Sequence, residues 1–440
     1  MSPINSHRRR YKWIVSQIGA RQHYGVPRGF QAKDSLRLLY TEFWCRWGSD
    51  HLKNGPKWLR AFAGRYHPHV PNSRVVSFNL RSSIDRLAHA KGNSIEEISM
   101  EFARFGQWFS ESVNRHLFRQ QLDPERDCFF GFDTGCLETM LRLKERGIVT
   151  VCDQIDPGRV EEEIVYQETL KWPGWQEAPG RIPNDYFKRL EQEWKVADLI
   201  LVNSDWSKEA LVQQGVPAEK QFVVPVAYEP EVIYAKPRTK RPGALQVLWL
   251  GTVNLRKGIQ YLIESAKMLQ NEDVKFIIAG PIDISKDAVA SAPKNMEFIG
   301  RVNRVQTAEV YKAADVFVLP TLSDGFAITQ VEAMGYGLPV IATPNCAEVV
   351  TRGVDGFIVP ARDARALADA ILSLRRDPAL LQEMSRNALS KVCNFRLPMQ
   401  ADQVEQEVTR FLAGDRRRIA AKLDVFQQPA QAGLLNDVTP

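Results

Sequence analysis

The stretch Val316-Phe-Val-Leu-Pro320-Thr-Leu-Ser-Asp324-Gly-Phe-Ala-Ile-Thr-Gln-Val-Glu332-Ala-Met-Gly-Tyr-Gly-Leu-Pro-Val-Ile-Ala342 reads as strand, loop, helix and strand. Its two ends, Val316 to Leu319 and Pro339 to Ala342, are short apolar runs, and Gly325 with the helix formers after it marks a loop turning into a helix N-terminus. Two strands joined by a helical crossover are the unit of a parallel, doubly wound sheet, whose ligand sits at the carboxyl ends of the strands. Asp324 and Glu332 flank that turn. Free N–H groups and the helix dipole favour a phosphate there, while a carboxylate at each end accepts hydrogen bonds from sugar hydroxyls. The combination suits a nucleotide sugar. A capped helix with an acidic first turn is the structural alternative.

The same alternation runs through the whole second half. Val247 to Leu250, Val274 to Ala279, Met296 to Ile299 and Phe357 to Val359 are further strands. Ile259, Leu262, Ile263, Ala266 and Leu269 repeat at helical spacing, as do Leu367, Ala370, Ile371 and Leu374. In the first half, Trp13 to Val15, Ile148 to Val151, Leu199 to Val202 and Phe222 to Val224 read as strands between helical stretches. Pro230, Pro237 and Pro242 lie among basic residues and mark a linker. The fold class expected is α/β: two Rossmann-like domains at 1–228 and 245–400, a linker at 229–244, a C-terminal helix at 401–420 and a disordered tail at 421–440.

At 440 residues the chain is too long for one core, and 44% hydrophobic with 25% charged residues is ordinary for a soluble protein. Six cysteines without a C-x-x-C pair argue against a zinc site and a disulfide scaffold, which fits a reducing cytoplasm. No apolar h-region follows the N-terminal arginines and no apolar run approaches the length of a membrane span, so neither export nor membrane insertion is expected. The net charge of +6 is uneven: residues 1–120 hold 20 Lys and Arg against 8 Asp and Glu, and all seven histidines. The basic residues are dispersed and no nucleic-acid-reading motif accompanies them, so no nucleic-acid partner is expected. Residues 43–66 interleave Trp44, Trp47 and Trp58 with Arg46, Lys53, Lys57, Arg60 and Arg65. Such a segment suits an anionic membrane surface at the inner face of the membrane, against the alternative that the tryptophans fill the core.

Several ordered motifs carry a family resemblance. Gly251-Thr-Val-Asn-Leu-Arg-Lys-Gly258, Phe298-Ile-Gly-Arg-Val302, Tyr311 to Pro320 and Ser323 to Ala333 resemble the donor half of retaining glycosyltransferases of family 4, and Ala197 to Ser204 with Gly215-Val-Pro217 resembles the end of that family's N-terminal domain. The resemblance implies the GT-B architecture, with the acceptor held by the first half and a nucleotide-sugar donor by the second. It further implies a hexosyltransferase acting with retention, the leaving phosphate taking the acceptor's proton, on a glycan or lipid-linked acceptor in surface polysaccharide or glycoconjugate synthesis. No Asp-x-Asp motif follows a strand, so neither metal nor cofactor is expected.

Breaking the bond between a sugar's anomeric carbon and a diphosphate builds negative charge on the phosphate. Arg256 and Lys257, just after the Gly251 loop, are placed to clamp it. Catalytic roles therefore fall to Asp324, Arg256, Lys257 and Asp153. By the resemblance, Gly251, Thr252, Arg301, Val302, Gly325, Phe326, Ala327 and Glu332 bind the donor, with Glu332 on the ribose and Arg301 and Val302 against the nucleobase. The family places an arginine where Thr252 stands and a glutamate at Asp324, and many relatives place a histidine where Asp153 and Asp156 stand. Asp153 and Asp156 are candidates for sugar or acceptor hydroxyls, against a cap or turn; Arg21 and His23, in the loop after the first strand, are the acceptor candidates with Asp156. The other functional class consistent with these departures is a GT-B module that binds a nucleotide or partner and transfers nothing.

Overall fold

The computed structural model describes residues 11–46, 64–79, 94–176, 180–229, 237 and 243–427. The first half runs β1 (Lys12–Gln17), α1 (Gly25–Ala32), β2 (Leu36–Thr41), β3 (Val75–Ser77), α2 (Ile95–Leu117), β4 (Asp127–Phe132), α3 (Leu137–Lys144), β5 (Val149–Gln154), α4 (Arg159–Lys171), α5 (Asn184–Val196), β6 (Leu199–Val202), α6 (Asp205–Gln213) and β7 (Gln221–Val223). All its strands pair in parallel in the order β3-β2-β1-β4-β5-β6-β7. The second half runs β8 (Leu245–Leu250), α7 (Ile259–Met268), β9 (Val274–Ala279), α8 (Lys286–Ala290), β10 (Met296–Gly300), α9 (Arg304–Ala313), β11 (Val316–Leu319), α10 (Thr329–Gly335), β12 (Val340–Ala342), β13 (Gly356–Ile358), α11 (Ala364–Arg376), α12 (Pro378–Lys391) and α13 (Leu397–Gln427). Its order is β10-β9-β8-β11-β12-β13, again parallel.

Each sheet is buried on both faces, which is why its strands read as apolar runs rather than alternations. Trp13, Phe130 and Val151 pack on one face of the first sheet and Ile14, Phe129 and Cys152 on the other. In the second sheet, Val247 and Val316 face one core while Leu248 and Phe317 face the other. Strand order reverses between β1 and β4, and between β8 and β11. Those reversals are the switch points where open α/β sheets bind ligands, and the Gly251 and Ser323 loops lie at the second.

The halves touch extensively through α4 and the turn after it. Trp175 packs against the core of the second half and its carbonyl accepts from Ser285 N at 2.6 Å. Buried Glu168 accepts from Tyr261 Oη at 2.9 Å, Gln260 Nε2 at 3.1 Å and Arg362 Nε at 2.5 Å, three donors from across the cleft. Finally α13 crosses back, seating Ala401, Val404 and Val408 in the first half's core. It begins before residue 401 and continues to Gln427, into the stretch expected to be a tail; residues 428–440 lie outside the described residues. Trp44 is core, wedged between Tyr24 and Tyr66 with its Nε1 donating to Asn72 Oδ1 at 2.7 Å, whereas Trp47 and Trp58 lie outside the described residues.

Candidate functional site

Arg256 and Lys257 occupy a single 3-10 turn, Leu255–Lys257, whose start is capped by Asn254 Oδ1 accepting from Lys257 N at 3.1 Å. Gly258 ends the turn at φ 75°, and a Cβ there would lie 1.8 Å from Pro320 O, so only glycine lets the clamp approach the Ser323 loop. The two cations diverge. Lys257 Nζ pairs with Asp324. Arg256 Nη1 donates to Glu161 Oε2 of α4 at 3.2 Å and to Ser323 O at 3.1 Å. Ser323 Oγ donates to the same Glu161 oxygen at 2.9 Å and accepts from Trp206 Nε1 at 3.2 Å. Each of the two cations is thus held by a carboxylate, one from each half.

Burial first, and the Arg256 guanidinium second, pull Lys257 down to about 7. Burial raises the Glu161 carboxyl above its ordinary value, and Arg256 opposes that rise. Asp324 Oδ1 also accepts from Phe326 N at 3.3 Å and Ala327 N at 3.0 Å. Those are two of the N–H groups expected to face phosphate; here the loop's own acid fills the nest. Ala327 sits at φ 60°, in the left-handed region that lets its N–H turn toward Asp324. Gly325 carries the contact between halves: a Cβ on it would stand 1.9 Å from Ile155 O.

Glu332, in the first turn of α10, accepts from Tyr311 Oη at 2.9 Å, and Tyr311 stacks on Tyr336 with ring centres 5.0 Å apart. This fixes Glu332 beside the loop. Thr252 is exposed after Gly251, and Arg301 is exposed at the end of β10 with Val302 packed on the core beside it.

On the acceptor side, Arg21 donates to Ile18 O at 3.3 Å and reaches Asp133 Oδ1 at 3.5 Å, while Asp153 is buried at the end of β5. Asp156 Oδ1 accepts from Gly158 N at 2.8 Å, so its carboxylate closes a turn, and the residue lines a cavity of about 280 Å3 with Glu161, Tyr166, Arg181, Tyr186 and Arg256. His23 is exposed, in a run of left-handed residues from Gln22 to Tyr24. Sequence reading brought together Arg256, Lys257, Asp324 and Gly325 correctly as neighbours but missed Glu161 and Asp133. Glu161 stands in a run of three glutamates that looks like a solvated face; the spacing from Asp156, one turn into the next helix, was its only signal.

The two facing Rossmann-like sheets with switch points on a shared cleft define the GT-B fold. Residues 244–377 match the family described as glycosyl transferases group 1. The chain is 28% identical over 210 residues to an amylovoran biosynthesis glycosyltransferase of Erwinia amylovora, covering 44% of this chain and 52% of that protein. It is 26% identical over 226 residues to a putative colanic acid biosynthesis glycosyltransferase of Escherichia coli, covering 48% and 55%. The chain spans about half the length of the curated relatives it matches. Among solved structures, HepE of Anabaena in complex with UDP superimposes with a TM-score of 0.58 at 16% identity over 91% of this chain and 100% of that one. Sucrose-phosphate synthase of Thermosynechococcus elongatus gives 0.62 at 18% identity over 92% and 100%.

Among the described residues no helix is long and apolar enough to cross a membrane. The one grouping there with metal-ligand types is Cys136, Cys152 and Glu193, all buried.

Proposed function

We propose that the protein is a retaining hexosyltransferase that moves a sugar from a nucleotide-sugar donor to a hydroxyl of a glycan or lipid-linked acceptor in surface polysaccharide or glycoconjugate synthesis. The observation that carries this reading is the pair Arg256 and Lys257, held at the second switch point against Glu161, Ser323 and Asp324. A donor diphosphate takes over both cations from the carboxylates, and its leaving oxygen gains their charge as the bond to the anomeric carbon breaks. The acceptor oxygen bonds that carbon on the same face, and its proton passes to the departing phosphate. Glu332 accepts from the ribose hydroxyls, and Asp324, released from Lys257, turns to the sugar. Arg256 and Lys257 supply the neutralising charge without a metal. The polysaccharide assignment draws on the amylovoran and colanic acid relatives, and the UDP held by HepE makes uridine diphosphate the first nucleotide to try.

The test is hydrolysis: purified protein incubated with single nucleotide sugars, without acceptor and with or without EDTA. Slow release of nucleoside diphosphate, unchanged by EDTA, is expected. Binding without release from any sugar would identify a silent module instead. The cytoplasmic, membrane-peripheral placement is tested by sedimentation with anionic vesicles, where binding should be strong at low salt and fall as salt screens the charges.

A further inference from the structure

The first half has its own convergence of charge, which the donor clamp does not use. Arg21 follows β1, Asp133 follows β4 and Asp153 lies in β5, three strands that are neighbours in the sheet. They meet at the carboxyl edge where strand order reverses, the place where such sheets bind ligands. Asp133 N donates to Asp153 O at 3.1 Å, which holds the two carboxyls together. Arg21 Nη2 stands 3.5 Å from Asp133 Oδ1, with its guanidinium 5.4 Å from the centre of the Phe132 ring.

Asp133 is 4% exposed and Asp153 1%, yet Asp133 Oδ1 and Asp153 Oδ1 have no hydrogen-bond donor. A buried carboxyl oxygen without a donor is costly, and native proteins keep such atoms mainly where something else completes them. Nearby Glu193 shows the contrast. Its oxygens accept from Thr134 N at 2.6 Å, Cys136 N at 3.1 Å and Leu137 N at 3.1 Å, so its carboxylate serves the chain itself.

Charge decides what completes the pair. Burial pushes Asp153 up to about 7 and Asp133 well above the carboxylate range, with Arg21 opposing the rise in each. One guanidinium faces two buried carboxyls, so the cluster carries no surplus positive charge. Such a cluster can accept from and donate to hydroxyls, but it has no cation left to offset another buried anion. It also lies within reach of the donor: two residues after Asp153, Ile155 O meets the Gly325 loop.

We propose that Arg21, Asp133 and Asp153 form the pocket for the hydroxyls of the transferred sugar and restrict it to uncharged sugars, rejecting uronic acids. This rests on the transferase reading given above. It adds Asp133 as a binding residue, sets Asp153 and Arg21 on the donor's sugar, and assigns the sugar's charge class.

The experiment is a calorimetric titration of the full chain with UDP, UDP-glucose and UDP-glucuronic acid, and with GDP, GDP-mannose and GDP-mannuronic acid. An uncharged sugar should bind more tightly than its bare diphosphate, and the matching uronic acid should not. In Asp153→Asn the uncharged sugar should lose roughly tenfold in affinity, the scale of one charge-assisted hydrogen bond. The bare diphosphate should be unaffected, and discrimination against the uronic acid should narrow, because one of the two acids that face Arg21 is then gone. Asp133→Asn repeats the measurement if the first variant does not fold. Uronic acids binding as tightly as the uncharged sugars, no gain from any sugar over its diphosphate, or variants that keep full discrimination would overturn the inference. If neither diphosphate binds at all, it is the transferase reading that fails.

Discussion

Arg256 of the donor half donates to Glu161 of the first half across the cleft at 3.2 Å, and Ser323 donates to the same carboxylate oxygen at 2.9 Å. In the reading proposed above, Glu161 occupies the place of a phosphate: an anion from one half is held by the cation and loop of the other. Because a donor must displace it, Glu161→Gln should tighten binding of uridine diphosphate by about 1 kcal/mol, the scale of one hydrogen bond to a charged group. Calorimetric titration reads this directly; weaker binding in the variant would mean that Glu161 supports the nucleotide site rather than competing for it.

The two acids of the donor loop should separate by function. Glu332→Gln keeps its shape and its contact with Tyr311 but weakens hydrogen bonding to ribose, so affinity for nucleoside diphosphate should fall by about 1–2 kcal/mol. Asp324→Asn should lower turnover more than diphosphate affinity, since Lys257 remains to hold the phosphate. Equal losses of plain nucleotide binding in both would misplace Asp324 relative to the sugar.

Much of this was legible in the sequence, and the reasons it stops are physical. Every strand expected in the second half is present, because buried parallel strands read as unbroken apolar runs. In the first half β2, β3 and β4 were not named: Arg37 interrupts the first, β3 is only three residues long and Asp127 with Gly131 breaks the last, and the ion pair that joins Arg37 to Asp127 is visible only once β2 and β4 flank β1. Arg256, Lys257 and Asp324 announced themselves by position after strand ends. Asp133 and Glu161 did not, since their meaning comes from β1, β4 and β5 lying adjacent and from one half meeting the other. Asp156 had two readings, ligand or turn, and its carboxylate bonds the turn.

Lys257 should make nucleotide binding take up protons. With its ammonium pulled down to about 7 by burial and Arg256, a large fraction is neutral at pH 8, and a bound diphosphate favours the charged form. Titrations at pH 8 in buffers of different ionisation enthalpy should show net uptake of a fraction of a proton, and Lys257→Met should abolish it. Binding with no buffer dependence would contradict the assignment.

Asp153 should leave a mark on stability. Its carboxyl is raised from the ordinary 3.8 to about 7 by burial, so the folded protein keeps a proton that the unfolded chain has released. That contribution to stability is complete below 3.8 and is lost as pH rises to about 7. Asp153→Asn, which cannot ionise, should flatten the stability profile over this window in denaturant titrations, and an unchanged slope would show that Asp153 is already ionised at low pH.

The central claim is that Arg256 and Lys257 hold the diphosphate of a nucleotide sugar, and it is met most directly by following nucleoside diphosphate release from nucleotide sugars by the wild type and by Lys257→Ala. Release by the wild type, with a loss in the variant equivalent to about 2–4 kcal/mol of transition-state stabilisation and an unchanged circular dichroism spectrum, is the predicted result. A Lys257→Ala protein that turns over at the wild-type rate would contradict it.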